Sequence, residues 1–197
     1  MRDTRGEDYA RRLQSREGAR WKQLLDVQRP YRWNLRRYDL GRTLDVGCGI
    51  GRNLVSLPTG SVGVDHNAHS IELARGRGFT AYSTEEWDSV DDNRPAAYDA
   101  LLLAHVIEHM PAAEGEAVVR MYLPNLRPGG RVLFICPQER GYDSDPTHVR
   151  WTTDEDLADL ARTVGLEPEV RRSFPFPRVA GKVFTYNEFN VLARKPG

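Results

Sequence analysis

Apolar residues in this chain follow two rhythms. From residue 8 to residue 40 they recur at loosely helical spacing, as Tyr9, Leu13, Trp21, Leu24, Leu25, Val27, Tyr31, Trp33 and Leu35, in a stretch rich in helix-favouring residues. Pro30 interrupts this stretch, and a proline inside a helical pattern divides it, so two helices are expected. Beyond residue 42, short apolar and β-branched runs predict strands at 43–46, 61–64, 79–82, 98–103, 131–136, 168–174 and 187–194. Seven strands alternating with helices predict an α/β fold, a doubly wound sheet that is mostly parallel and covered on both faces. The expected organisation is one domain, with a helical arm at 1–41 and the α/β core at 42–197. The arm's aromatics read mainly as packing onto the core, with Tyr31 and Trp33 as candidates for the border of a site.

The first strand breaks into glycines at alternate positions, Gly47, Gly49 and Gly51, before a helix-like pattern resumes. A Cβ there would block both left-handed backbone and the close approach of a ligand, so the segment Thr43–Asn53 predicts a tight turn beneath a bound nucleoside. A dinucleotide fingerprint would place its third glycine at 52, which is Arg52, so hydride chemistry is disfavoured. The next strand, Ser61-Val-Gly-Val-Asp65, ends in a carboxylate suited to accept both ribose hydroxyls.

Composition narrows the setting. A length of 197 residues suits a single core that stands without disulfides, and Cys48 and Cys136 have neither metal-knuckle nor disulfide spacing, so a reducing cytoplasm is expected. No apolar run approaches the ~20 residues of a membrane span, and the charged N-terminus has no signal core. Net charge is zero, but residues 1–42 hold twelve Arg or Lys against six Asp or Glu, which leaves the rest at minus six. This reads as a solvated basic helix face, or as a source of one or two arginines among Arg29, Arg32, Arg36 and Arg37 for an anionic group. A long nucleic acid needs a sustained basic surface and is not an expected partner. The oligomeric state is left at monomer or homodimer.

The segments Leu44-Asp-Val-Gly-Cys-Gly-Ile-Gly51, Asp65, Tyr98–His109 and Leu126–Ile135 together resemble the class I S-adenosylmethionine-dependent methyltransferases, over roughly residues 42–195. The resemblance implies a Rossmann-like seven-stranded sheet whose last strand is antiparallel. It implies that S-adenosyl-L-methionine is held by Asp45, Gly47, Cys48, Gly49 and Asn53 of the glycine turn and by Asp65 and His66 at the ribose. Thr84 and Glu85 are implied at the adenine and Ala104 at the end of the fourth strand; Ser83 and Glu86 would also make this segment a helix cap.

Directly after the fourth strand comes His105-Val-Ile-Glu-His109. If that turn is helical, two imidazoles and the Glu108 carboxylate face one direction, and His148, Asp143 and Asp145 approach from a later loop. The spacing is similar to the Glu-x-x-Glu-His of metal-dependent small-RNA terminal 2′-O-methyltransferases, with His105 in place of the first glutamate. It implies a divalent-metal site of His105, Glu108, His109 and His148. Three histidines and one carboxylate lean towards Mn²⁺, Zn²⁺ or Fe²⁺ on intrinsic affinity, while abundance favours Mg²⁺. A metal-free reading stays open, because Val-x-Glu-His is frequent after this strand in the class I family. Methyl transfer to a hydroxyl needs alignment and removal of a proton. His148 is the first candidate base and His109 the second; Asp145 inherits the role if both are ligands.

Between the last two strands, Arg171–Glu188 inserts a proline-rich aromatic loop, Phe-Pro-Phe-Pro at its centre. Rigid aromatics suit the apolar faces of sugar rings, although a hydrophobic clasp or dimer contact fits equally. Together with Pro30–Asn34 and Asp145–Trp151, the loop resembles the layout of the sugar 1-O-methyltransferases of methylmannose polysaccharide biosynthesis. The expected acceptor is therefore a small carbohydrate, with an RNA 3′ end or a small phenol or quinone as alternatives.

Overall fold

The computed structural model of the chain describes residues 28–197. It opens on helix α1 (Arg29–Arg36), where Pro30 occupies the first turn and its missing amide hydrogen leaves no bond unmade. The second of the two expected helices thus begins at the proline, while the first, with residues 1–27 of the arm, lies outside the described residues.

All seven expected strands form: β1 (Thr43–Val46), β2 (Val62–Asp65), β3 (Ala81–Ser83), β4 (Tyr98–Ala104), β5 (Leu126–Pro137), β6 (Glu167–Phe174) and β7 (Glu188–Arg194). They build one sheet in the order β3-β2-β1-β4-β5-β7-β6, parallel except for β7, which runs antiparallel to both neighbours. β5 begins five residues before the expected start. Leu126 already pairs with Tyr98, and Gly129 and Gly130 exchange bonds with Lys195 across the strand ends. The helices are α2 (Ala68–Gly76), α3 (Thr84–Trp87), α4 (Ala112–Tyr122), α5 (Glu139–Tyr142) and α6 (Asp154–Thr163). Among the described residues, no helix is long and apolar enough to cross a membrane.

Period-two alternation along the central strands splits the core in two. Leu101 and Leu103 of β4 join Val132 and Phe134 of β5 on the face covered by Val119 and Tyr122 of α4 and Leu157 and Ala161 of α6. Ala100, Leu102, Leu133 and Ile135 point the other way, onto Leu35 of α1 and the following Tyr38 and Leu40. On that same side Ile71 and Ala74 of α2 enclose Cys48 and Leu54. Strand order reverses between β1 and β4, so the crevice for a ligand opens beyond their carboxyl ends.

Gly63 sits mid-strand in β2 because the Cys48 side chain occupies the space a side chain would need; a Cβ there would lie 2.6 Å from Cys48 Sγ. Gly63→Ala should overpack this junction and cost about 1–3 kcal/mol in urea denaturation. A cost within the ~0.5 kcal/mol typical of surface substitutions would mean that the glycine turn yields freely.

Candidate active site

The turn after β1 is held by backbone bonds. The amides of Gly47 and Cys48 both donate to the Val64 carbonyl, at 2.8 and 3.1 Å, which folds the turn over the end of β2. Gly47, Gly49 and Gly51 all have positive φ, and a Cβ on Gly47 would fall 2.4 Å from Val106 Cγ2. The Gly49 amide donates to Asp65 Oδ2 and the Asn67 amide to Oδ1, each at 2.8 Å. Each oxygen of Asp65 thus takes one amide and retains a second lone pair for a ligand hydroxyl. Asn67 in turn caps α2 through the Ser70 amide.

Beneath the turn Asp45 is fully buried, and neither of its side-chain oxygens has a hydrogen-bond partner of ordinary geometry. Burial pushes its carboxyl up to about 8; the nearby Asn53 side chain tempers that rise and the charge on Asp65 adds to it. The Cys48 thiol is turned into the core, so its backbone alone faces the turn. His66 lies at the mouth, its Nδ1 3.6 Å from Asp65. Ser83 and Glu86 form the capping box of α3, which leaves Thr84 and Glu85 exposed at the rim. Ala104 ends β4, half-buried and paired with Ile135.

The α-helical geometry that a shared face for positions 105, 108 and 109 would need does not form. The His105 amide continues the ladder by donating to the Ile135 carbonyl at 2.8 Å, and the chain then reverses with His105 in the left-handed region, φ 59°, before a short 3-10 turn at Ile107–His109. The two imidazoles therefore do not share a face. His105 lies between two carboxylates instead, Nδ1 3.2 Å from Glu108 Oε1 and Nε2 3.0 Å from Glu188 Oε1. Ionised carboxylates only accept, so both ring nitrogens carry hydrogen. Enclosure of the ring nitrogens opposes that charge, though the side chain stays 45% exposed; Glu108 and Glu188 outweigh it and push the imidazole up to about 10. Burial likewise works to raise the enclosed Glu108 carboxyl, yet His105, with His109 beyond it, holds it below the usual carboxylate range. The Cys136 thiol donates to Glu108 Oε2 at 3.3 Å.

Glu108 also anchors the later loop, because its carbonyl accepts from the Val149 and Arg150 amides at 2.8 and 3.1 Å. This brings His148 to His109, ring centroids 4.8 Å apart. His148 donates from Nδ1 to the Tyr142 carbonyl at 2.6 Å and stacks on the Tyr142 ring, which Trp151 backs edge-on. His109 Nδ1 lies 3.2 Å from both the carbonyl and the hydroxyl oxygen of Thr147, while that hydroxyl donates to Asp145 Oδ1. Both imidazoles are thus fixed with the proton on Nδ1 and, when neutral, a lone pair on Nε2. Burial holds His109 below its usual value; Glu108 pulls the other way. One ligand atom each from Glu108, His109 and His148 lie within 4.8 Å of one another. Of the four expected metal ligands the structure gathers these three, with His105 committed to its two carboxylates.

The loop between β6 and β7 closes the rim. Asn187 is buried within it, its amide nitrogen 2.8 Å from Gln138 Oε1 and 2.9 Å from Ser173 Oγ. Arg178 pairs with Glu139, and the Tyr31 hydroxyl donates to the Tyr186 carbonyl at 2.7 Å. Tyr31 packs edge-on against Phe174, and Trp33, 58% exposed under Arg37, lies tilted against the same ring with centroids 6.4 Å apart. Arg29, Arg36 and Arg37 are exposed on and just after α1. Glu188 and Cys136 are site residues that the sequence reading leaves unassigned. For Glu188 the available signal was a lone acid opening an apolar strand, at the end an antiparallel β7 returns to the crevice.

A family model described as a methyltransferase domain matches residues 9–169. The chain is similar to the 27-O-demethylrifamycin SV methyltransferase of Amycolatopsis mediterranei (strain S699), with 29% identity over 151 residues, 65% of this chain and 54% of that protein. It thus spans about half the length of that relative. It is also 24% identical over 175 residues to the ubiquinone biosynthesis O-methyltransferase of Ralstonia nicotianae, covering 76% of this chain and 73% of that one. A SAM-dependent methyltransferase from Thermotoga maritima shares the fold, with a TM-score of 0.67 at 18% identity over 95% of this chain and 97% of that one.

Asp45 binds its proton more tightly in the folded chain than in the unfolded one. Its ionised form therefore costs stability as pH rises above 3.8, a cost complete above about 8. In ligand-free protein at about pH 9, Asp45→Asn should melt at a higher temperature than the parent. A lower melting temperature at that pH would mean that Asp45 is neutralised within the fold. For His105 the sign is opposite. Its contribution to stability is fully present below pH 6.5 and is lost as pH rises through about 10. The melting-temperature gap between the parent and His105→Gln should shrink across that window, and a constant gap would refute it.

Proposed function

This chain belongs to the methyltransferase domain family, and on that premise we propose that it transfers the methyl group of S-adenosylmethionine to a carbohydrate hydroxyl, such as that of a methylated mannoside. The cradle residues fit the cofactor. The unpartnered Asp45 carboxylate suits its ammonium, the spare lone pairs of Asp65 suit its ribose hydroxyls, and the exposed Thr84 and Glu85 edge suits its adenine. When bound, it supplies an electrophilic methyl group on a sulfonium.

The observation that carries the reading is the His109–His148 pair, each with Nδ1 committed to backbone or hydroxyl oxygen and Nε2 left to accept. Oxygen is the acceptor for which such a pair is needed, since a hydroxyl must lose its proton as the new C–O bond forms and the sulfonium C–S bond breaks. His148 takes that proton at Nε2, while its Nδ1 hydrogen stays on the Tyr142 carbonyl. His109, kept neutral by burial, is the second candidate. Glu108, His109 and His148 would also hold a divalent ion, Mg²⁺ or Mn²⁺, whose chemistry when bound is to make the acceptor hydroxyl more acidic. Two imidazoles and one carboxylate form a softer set than Mg²⁺ prefers, which favours Mn²⁺. With both imidazoles on an ion, the proton falls to Asp145.

The carbohydrate reading draws on the aromatic Phe174–Tyr186 loop and on the charge around the cluster. Glu108, Glu188 and Asp145, offset by only one charge on His105, leave this end net negative, which disfavours the phosphates of an RNA end and suits a neutral polyol. The relative in ubiquinone biosynthesis favours a second reading, in which the acceptor is a phenol or quinone.

Conversion of S-adenosylmethionine to S-adenosylhomocysteine, followed with mannosides, other saccharides, phenols and RNA ends, each with Mg²⁺, Mn²⁺ or EDTA, separates these readings. Saccharides should be the fastest acceptors, EDTA should abolish turnover, and His109→Ala and His148→Ala should each lower it at least ~100-fold. Faster methylation of phenols would select the second reading. EDTA-resistant turnover would leave the histidines as bases alone, and near-native rates in both variants would remove them from the reaction.

A further inference from the structure

His105 and Glu188 lie 83 residues apart in the chain, yet their side chains meet at 3.0 Å. His105 directly follows β4 beside the reacting groups, and Glu188 begins β7 directly after the aromatic loop. We infer that His105 is a positioning residue that ties the Phe174–Asn187 loop to the Glu108–His109–His148 cluster, so that the acceptor side and the reacting groups adopt one arrangement. The inference rests on the reading that methyl transfer takes place at that cluster.

Two observations support it. First, the polar contacts form a continuous path. Cys136 and His105 each hold one oxygen of Glu108, whose carbonyl carries the His148 loop. On the far side of His105, the Glu188 carbonyl accepts from Gln138 Nε2, and Gln138 Oε1 accepts from Asn187 inside the loop. Asn187 Oδ1 then accepts from the Phe176 amide at 3.0 Å. Second, His105 is left-handed, a conformation that a residue with a side chain keeps only where its surroundings impose it. The β4–β5 ladder on one side and the two carboxylates on the other are those surroundings.

The test compares the parent with His105→Gly, Glu188→Ala and the double variant. Glycine accepts a φ of 59° without strain, so parent-like circular dichroism and a cooperative melt whose midpoint stays well above the assay temperature separate loss of the tie from loss of the fold. The first readout needs no acceptor: trypsin cleavage after Arg178 and Lys182, both in the loop. Each single variant should be cut about fivefold faster, the change an exposed charge pair supports. The double variant should be cut no faster than His105→Gly, because that substitution already removes the Glu188 contact. In turnover, the KM for the acceptor should rise about fivefold while S-adenosylmethionine affinity stays within about twofold. Parent-like cleavage in both single variants, or additive effects in the double, would overturn the tie. Predicted cleavage with no hydroxyl acceptor turned over would leave the tie standing and remove the reaction reading. Turnover with an unchanged acceptor KM would reduce His105 to a structural contact.

Discussion

A carboxylate shut away from water must be answered by donors, and the crevice end of this sheet is arranged around that demand at Glu108. Its two oxygens take the Cys136 thiol and the His105 imidazole, and its carbonyl takes two amides from the loop that delivers His148. Each donor comes from a different place: the end of β4, the body of β5, and the connection before α6. Satisfying one buried charge therefore aligns three segments, and the alignment sets His148 against His109.

The glycine turn and the Glu108–His109–His148 cluster are joined at one crowded point. Val106, between His105 and Ile107, fills the space where Gly47 has no side chain. The glycine answers to the β4 loop as well as to a ligand. Likewise Gly63 yields its space to Cys48, so the turn is clamped from both flanks by neighbours that exploit missing side chains.

What could be read from the sequence was whatever depends on local spacing. The seven strands, the glycine turn and the acid ending β2 all follow from period and residue type, and all stand where expected to within a few positions except the early start of β5. The contacts of His105 were not legible, because its left-handed backbone follows from the ladder to Ile135 and its partner Glu188 arrives from the other end of the chain. The unpartnered state of Asp45 was equally hidden, since it reflects what the completed core fails to offer. Asp145 and Thr147 were visible as polar loop residues, and their bond to each other is local, but the contact of Thr147 with His109 joins positions 38 residues apart and so was hidden.

The antiparallel course of β7 has a consequence for how such a chain diversifies. In a parallel strand the start lies at the base of the sheet; in β7 the start, at Glu188, lies at the crevice. Whatever precedes it in the chain is delivered onto the rim, far in sequence from the glycine turn and Asp65. The β6–β7 connection and the glycine turn thus reach the same rim from distant parts of the chain, so a change in the length or side chains of one leaves the sequence of the other untouched.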